Sequence, residues 1–236
     1  MAFSMHAKGF EVEHKVDGSK VTSVDLAVDQ FLHQALLPQR PGYGWLSEEQ
    51  PDDGSRLTSE RFFVVDPIDG TSAFASGAEH WCVAAGIADD LGVMACALYQ
   101  PRTSRFFHAA RGQGSWVNGT KLTCLDKDRL EGARLLATGR TRHALEPEVQ
   151  AHSTSLPLLM RFAALAANEG DIALSLGARN DWDIAPGVLL VQEAGGIATQ
   201  ASGEPFNFKL PVAKQNGILV AGPRRHRLAL EILETA

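Results

Sequence analysis

The 236-residue sequence lacks several features that mark specialised classes of protein. Its three cysteines, Cys82, Cys96 and Cys124, are odd in number and have no metal-binding spacing. A disulfide framework is therefore not expected, and a reducing cytoplasm fits. No apolar run approaches the length of a membrane span, and the first residues have no signal-peptide layout. The sequence predicts a cytoplasmic protein that does not enter a membrane.

Basic charge is also scarce. The chain has 22 lysines and arginines against 28 acidic residues, a formal net charge of −6, so binding to a nucleic acid polymer is not expected. The one dense basic run, residues 224–227, fits an exposed helix turn. Neither Gly-x-x-x-x-Gly-Lys-Ser/Thr nor Gly-x-Gly-x-x-Gly occurs before a helix, which argues against a nucleotide-binding kinase or oxidoreductase.

Hydrophobic periodicity predicts a different organisation for each half of the chain. Residues 10–22 form an exposed hairpin or loop, residues 24–36 a helix, and residues 62–65 a buried strand that ends in a loop at Asp66. Further strands are predicted at 81–88, 93–99 and 105–109. The first half is therefore expected to contain antiparallel strands with a helix packed on them.

The second half alternates short strands with helices, which predicts a layered α/β unit. The strands are at 135–138, 172–174 and 218–221, and the helices are at 159–168, 183–193 and 226–233. The charged stretch 125–134 is the candidate boundary, which divides the chain into an N-terminal α+β half, 1–125, and a smaller C-terminal α/β half, 126–236.

Acidic residues concentrate where predicted strands end, above all in the segment Asp66-Pro67-Ile68-Asp69-Gly70-Thr71. Two carboxylates in one tight turn repel each other unless a cation lies between them, and oxygen ligands favour Mg²⁺. Gly70, Thr71 and Ser72 can present N–H groups and hydroxyls to an anion. Asp66-Pro67 or Asp69-Gly70 alone would more often be an ordinary loop without a ligand. The whole hexapeptide favours a metal site.

This hexapeptide resembles the signature of the inositol monophosphatase superfamily, and three other segments resemble further motifs of that family. The segment Trp45-Leu46-Ser47-Glu48-Glu49 is similar to its Gly-Glu-Glu segment, with Ser47 in place of Gly. Residues 182–187 and 193–196 resemble its second signature, which begins with Trp-Asp. Residues 15–25 resemble its pattern Lys-x-Asp-x-Ser-Pro-Val-Thr-x-x-Asp, with Lys20 where Pro is common. The four motifs occur in family order.

The resemblance implies an αβαβα sandwich and a Mg²⁺-dependent, lithium-sensitive phosphatase, commonly a homodimer. It implies one magnesium ion held by Glu48, Asp66 and the Ile68 carbonyl, and a second held by Asp66, Asp69 and Asp183. A third, weaker magnesium ion is often recruited in the family. Thr71 and Glu48 would orient and deprotonate the attacking water, and the Gly70, Thr71 and Ser72 amides would bind the phosphate.

The sequence leaves two interpretations open for several further residues. Asp25 matches a catalytic Asp of the family, but it also suits the charge at a helix N-terminus. Lys15 contacts substrate or is an exposed hairpin charge, and Arg179 binds a second phosphate or lies on the surface. Glu49 is expected beside the metal site rather than as a ligand, Trp182 is expected to pack against Asp183, and the role of Asp181 is open.

The resemblance implies one reaction but leaves several candidate substrates. Inositol monophosphatases carry a Glu seven residues before the Asp of the Trp-Asp motif, and that position here is Leu176. The pattern at residues 15–22 is closer to bacterial 3′(2′),5′-bisphosphate nucleotidases and histidinol-phosphatase-like members. Adenosine 3′,5′-bisphosphate is therefore the first expectation, inositol monophosphates the second and histidinol phosphate the third. A catalytically silent metabolite-binding protein is the alternative from another class.

Overall fold

The computed structural model describes residues 1–16, 18–149 and 154–235. Asp17, part of the N-terminal Lys-x-Asp pattern, lies outside these residues. The first half begins with α1 (Ala2–Lys8), the hairpin β1 (Val12–His14) and β2 (Lys20–Thr22), and α2 (Ser23–Leu36). The exposed hairpin and the helix were both predicted. Helix α2 begins with a capping box between Thr22 and Asp25 and continues into a 3₁₀ turn, Leu37–Gln39, that contains Pro38.

A seven-stranded sheet forms the scaffold of the first half. Its strands lie in chain order: β3 (Gly44–Ser47), β4 (Phe62–Asp69), β5 (Cys82–Asp89), β6 (Gly92–Gln100), β7 (Arg105–Ala110), β8 (Ser115–Val117) and β9 (Thr120–Lys121). Two short helices, α3 (Ser55–Thr58) and α4 (Thr71–Ala75), follow β3 and β4. Strands β4 to β9 pair antiparallel, as expected for this half, whereas β3 and β4 pair in parallel. Helix α3 carries the chain back across the sheet between them, as a parallel pair requires.

Strand β4 also differs from its prediction. It does not end at Val65 but continues to Asp69, and Asp66 pairs with Ala84 while Asp69 pairs with Cys82. The register shifts between the two aspartates, around Pro67, which has no N–H to donate to the ladder. Both carboxylates are therefore held by a sheet, which positions them more firmly than a loop would.

The second half builds a four-stranded sheet in the order β10 (Leu135–Leu136), β11 (Ile172–Ser175), β15 (Ile218–Ala221) and β13 (Ile197–Thr199). A two-stranded sheet pairs β12 (Arg179–Asn180) with β14 (Lys214–Gln215). The helices are α5 (Leu158–Ala166), α6 (Ala185–Glu193) and α7 (Pro223–Leu233). The three short strands and three helices predicted here are present with different ends, and β10 is reduced to two residues.

The layers stack in the order helix, sheet, helix, sheet, helix. Helix α2 packs on one face of the large sheet, where Leu32 and Leu36 contact a cluster of Trp45, Phe63 and Val65. Helices α5 and α6 lie between the two sheets in the main core, and α7 covers the outer face of the small sheet. The αβαβα fold class is confirmed. The main core takes residues from both halves, and the boundary near residue 125 stays a prediction.

Candidate active site

The acidic site is assembled from three separate elements. Glu48 follows β3, Asp66 lies within β4, and Asp183 closes a 3₁₀ turn, Asp181–Asp183, just before α6. Each offers a carboxylate oxygen, and the three oxygens lie within 4.8 Å of one another. Glu48 and Asp66 become neighbours because β3 and β4 are parallel, and the Glu48 N–H donates to the Val65 carbonyl at 3.3 Å.

The Asp66 carboxylate is the innermost of the three. It is only 1% exposed, and its Oδ1 has no hydrogen-bond partner. Burial, followed by the charges of Glu48, Asp69 and Asp183, raises the pKa of Asp66 well above its usual range. A buried carboxylate oxygen without a donor is costly unless a cation binds it, and a set of carboxylates suits Mg²⁺. These residues therefore fit the metal that the sequence implies.

Asp69 lies beside this trio but is not one of its members. Its Oδ2 accepts a hydrogen bond from the Met160 N–H, at 3.3 Å, in the first turn of α5. Burial and the charge of Asp183 raise the pKa of Asp69 to about 8. The sequence offered no sign of the contact with Met160, because 91 positions separate the two residues.

Asp183 is fixed by its own turn. Its Oδ2 accepts hydrogen bonds from the Asn180 backbone N–H, at 3.2 Å, and from Asn180 Nδ2, at 3.4 Å. Burial and the charge of Glu48 raise the pKa of Asp183 to about 6. Trp182 is partly buried against the main core, which agrees with its expected packing role. Asp181 points elsewhere and accepts a hydrogen bond from Gln215 Nε2 at 2.8 Å.

Thr71 and Asp25 form a hydrogen-bonded pair next to the signature. Thr71 Oγ1 donates to Asp25 Oδ1 at 2.9 Å and lies 3.2 Å from the Ile68 carbonyl oxygen. The other Asp25 oxygen, Oδ2, accepts from the Thr22 N–H in the capping box of α2. One Asp25 oxygen therefore takes part in the helix cap while the other contacts Thr71, and the catalytic role of Asp25 stays a prediction.

Gly70 occupies a tightly packed position between β4 and α4. Its φ of +94° lies in the left-handed region, and a Cβ built there would lie 2.4 Å from Pro157 Cγ. Pro157 precedes α5, so the signature loop packs closely against the start of that helix. Thr71 is partly exposed and Ser72 is exposed, which leaves this loop open to solvent.

Lys15 lies at the acidic site. Its Nζ contacts Glu48 Oε1 at 2.9 Å and Glu49 Oε1 at 2.8 Å. Burial raises the pKa of Glu49 to about 7, although the Lys15 ammonium opposes this shift. Glu49 therefore lies beside the trio and is not one of its three members, and its role stays a prediction. Lys15 offers a positive charge next to a carboxylate of the trio.

Comparison with known proteins shows the family to which this chain belongs. The model of the inositol monophosphatase family matches residues 2–236. The chain belongs to the inositol monophosphatase family. Members are magnesium-dependent phosphoric monoester hydrolases, so the chain is a phosphatase of that family.

The proteins that resemble this chain do not all carry the same name. An inositol-1-monophosphatase of Caulobacter vibrioides is 29% identical over 96% of this chain and 91% of its own length. A Streptomyces griseus protein that is 34% identical over 78% of this chain and 74% of its own carries the name glucose-1-phosphate thymidylyltransferase. The structure of an IMPase/NADP phosphatase with Mg²⁺ and phosphate superposes with a TM-score of 0.87 at 20% identity, covering 99% of this chain and 90% of that one.

The raised pKa values predict how metal binding depends on pH. Since the pKa values of Asp69 and Asp183 lie above those of an unfolded chain, the folded metal-free protein binds more protons than the unfolded one across that window. We therefore expect its melting temperature in EDTA to fall as the pH rises from about 5 to about 8. Mg²⁺ should raise it more at the higher pH, because only ionised carboxylates bind the ion. Equal Mg²⁺ shifts at both pH values would contradict this expectation.

Proposed function

We propose that this family member is a Mg²⁺-dependent phosphomonoesterase of a small phosphorylated metabolite and that it releases phosphate by attack of water. The observation that carries the proposal is the trio of Glu48, Asp66 and Asp183, with an Asp66 oxygen that is buried without a hydrogen-bond donor. Glu48, Asp66 and the Ile68 carbonyl would hold one Mg²⁺, and Asp66, Asp69 and Asp183 a second. A third ion stays a prediction.

When bound, Mg²⁺ would neutralise the charge of the phosphoryl group and lower the pKa of the attacking water. The residues of the chain would orient the water and the phosphate. Because the Thr71 hydroxyl donates its hydrogen to Asp25, its oxygen lone pairs are free to accept a hydrogen bond from the attacking water. Glu48 is the proposed base that takes the proton of that water. The Gly70, Thr71 and Ser72 amides would orient the phosphate, which lets a protein of net negative charge bind an anion.

For the substrate we propose a nucleotide bisphosphate, adenosine 3′,5′-bisphosphate, ahead of inositol monophosphate and histidinol phosphate. Leu176 occupies the sequence position at which inositol monophosphatases carry a Glu that binds inositol, and its side chain is 49% exposed. A leucine cannot bind the inositol hydroxyls in this way. The IMPase/NADP phosphatase of the same fold is named for a nucleotide. Inositol monophosphate is the second candidate because the Caulobacter relative carries that name. The thymidylyltransferase activity in the name of the Streptomyces relative does not fit a family of hydrolases.

A panel of released-phosphate assays tests this order. We expect adenosine 3′,5′-bisphosphate to have the highest kcat/KM. We expect Leu176→Glu to shift the ratio of rates toward myo-inositol 1-phosphate by providing an acceptor for the inositol hydroxyls. Leu210→Glu, at an exposed leucine elsewhere, is the matched control. Highest activity on inositol 1-phosphate in the wild type would reverse the order. Tight binding of these compounds in Mg²⁺ with no turnover would favour the silent binding protein.

Two features of the chain bear on where the enzyme is located in the cell. No helix within residues 1–16, 18–149 and 154–235 is long and apolar enough to cross a membrane. All three cysteines are buried and unpaired, which supports the proposal of a reducing, cytoplasmic location. A homodimer and inhibition by lithium stay predictions.

A further inference from the structure

Helix α2 has an unusual distribution of charge. Its two acidic residues, Asp25 and Asp29, are both buried, whereas Leu26 and Phe31 on its outer side are exposed. The acidic side chains of a surface helix normally lie on the solvent side. Because Asp25 and Asp29 are four residues apart, they lie on the same face of α2, one turn from each other. Asp25 contacts Thr71 of the signature segment, so this face of α2 points toward the candidate site.

Asp29 bridges the two sides of the turn that carries Glu48. Strand β3 ends at Ser47, and Glu48 and Glu49 form the turn that follows it. The Ser47 hydroxyl donates a hydrogen bond to Asp29 Oδ1, and Gln50 Nε2 donates one to Asp29 Oδ2. One carboxylate therefore binds both the residue before the two glutamates and the residue after them.

This bridge is almost inaccessible to solvent. Asp29 is 4% exposed and Ser47 is 1% exposed. Within residues 1–16, 18–149 and 154–235, no lysine, arginine or histidine is in ion-pair contact with Asp29, so its two donors are neutral. A buried carboxylate without a cation is costly, because neutral donors replace only part of its hydration. An apolar residue would pack α2 on the sheet without this cost, so packing alone does not explain Asp29.

Ser47 is the residue that replaces the Gly of the family's Gly-Glu-Glu segment. A glycine has no side chain that could reach α2, so the hydrogen bond to Asp29 depends on the serine of this chain. On the other side, the Glu48 N–H donates to the Val65 carbonyl of β4 at 3.3 Å. The turn is therefore fixed by β4 on one side and by α2 on the other.

We propose that Asp29 is a positioning residue for the metal site and that, through Ser47 and Gln50, it fixes the turn that presents the Glu48 carboxylate. This inference rests on the proposed function, because it assumes that Glu48 binds Mg²⁺ and takes the proton of the attacking water. Hydrogen-bond partners hold metal-binding groups in the geometry that the ion requires, and their loss typically lowers metal affinity about 10- to 100-fold. Asp29 has this role for Glu48 by fixing its turn from both sides.

The test measures Mg²⁺ binding to the substrate-free protein by calorimetry. For Asp29→Ala, which removes both acceptors, we expect the Mg²⁺ dissociation constant to rise about tenfold or more. Asp29→Asn should stay within about twofold of the wild type, because it can keep both hydrogen bonds. Its side-chain oxygen accepts from the Ser47 hydroxyl, and its amide donates to the Gln50 side-chain oxygen once the Gln50 amide flips.

Asp171→Ala is the matched control. Asp171 is also 4% exposed, and its ion pairs with Arg134 and Arg225 involve no residue of the site. This variant should have a lower melting temperature but the wild-type Mg²⁺ dissociation constant. In phosphate-release assays at saturating Mg²⁺, Asp29→Ala should lower kcat more than it changes KM, because it displaces Glu48 and not the amides that would bind the phosphate. Asp171→Ala should leave both constants unchanged.

The outcomes separate this inference from the proposed function. A wild type that binds Mg²⁺ but releases no phosphate from any phosphomonoester contradicts the proposed function, while the Mg²⁺ dissociation constants still test the role of Asp29. A wild type that binds no Mg²⁺ overturns both. An active wild type with an unchanged Mg²⁺ dissociation constant in Asp29→Ala overturns the positioning role alone.

Two further results would also overturn the positioning role. An equal rise of the constant in Asp171→Ala would reflect a general loss of stability, and an equal rise in Asp29→Asn would reflect the charge of Asp29 and not its hydrogen bonds. If Asp29→Ala does not fold, Ser47→Ala and Gln50→Ala, which each remove one donor, decide the question. Weaker Mg²⁺ binding in both supports the role, and unchanged binding in both overturns it.

Discussion

Replacement of Asp66 by asparagine is expected to reduce Mg²⁺-dependent kcat/KM about 1000-fold, because the loss of several kcal/mol of charge stabilisation in the transition state costs roughly a factor of ten for each 1.4 kcal/mol. Asp66 lies at the centre of the trio and is the residue assigned to both metal ions. Asparagine keeps the shape of the side chain but removes its charge, so the effect reports on metal binding and not on packing.

The same substitution has a second expected effect, of opposite sign. Without metal, the Asp66 carboxyl is buried among the charges of Glu48, Asp69 and Asp183. Its neutral replacement should therefore raise the melting temperature of the metal-free protein at about pH 8, while Mg²⁺ stabilises the variant less than the wild type. Asp128→Asn, at an exposed aspartate, is the control for both measurements. Full Mg²⁺-dependent activity of Asp66→Asn would rule out the proposed function.

Gly70→Ala is expected to reduce both stability and activity. The positive φ should cost an alanine about 1–2 kcal/mol, and the contact of its Cβ with Pro157 Cγ should cost about 1–3 kcal/mol more. The melting temperature should fall by about 5–15 °C for a chain of this length. Activity should fall as well, because the alanine displaces the loop that presents Thr71 toward the site.

Gly119 provides the matched control. It lies in the turn between β8 and β9 with a φ of +80°, but nothing lies within 4 Å of a Cβ built there. Gly119→Ala should therefore show only the smaller backbone cost, with activity retained. The double variant Gly70→Ala/Pro157→Ala should recover part of the lost stability, since Pro157 Cγ is the clashing atom. Equal destabilisation by the two single alanine variants would show that the contact with Pro157 is unimportant.

Local pattern was enough to predict most of the long elements and the choice of carboxylates. The apolar run at 62–65, the helical spacing after Val24 and the strand–helix alternation of the second half correspond to β4, α2 and the layered C-terminal part. Glu48, Asp66 and Asp183 could be named from three separate motifs because each motif contains its own Asp or Glu in a recognisable context. The sequence could not show that Asp66 lies within a strand, because Pro67 usually marks a loop.

The sequence by itself determined the layered α/β character of the second half through its hydrophobic periodicity. Its short motifs carried the resemblance that implied the family, the metal-ligand types and the αβαβα architecture. Only the tertiary structure decided which groups surround those ligands. The Met160 N–H on Asp69 and Pro157 against Gly70 both come from segments remote in sequence from the signature. No local pattern encodes these contacts, because they depend on how α5 packs against the end of β4.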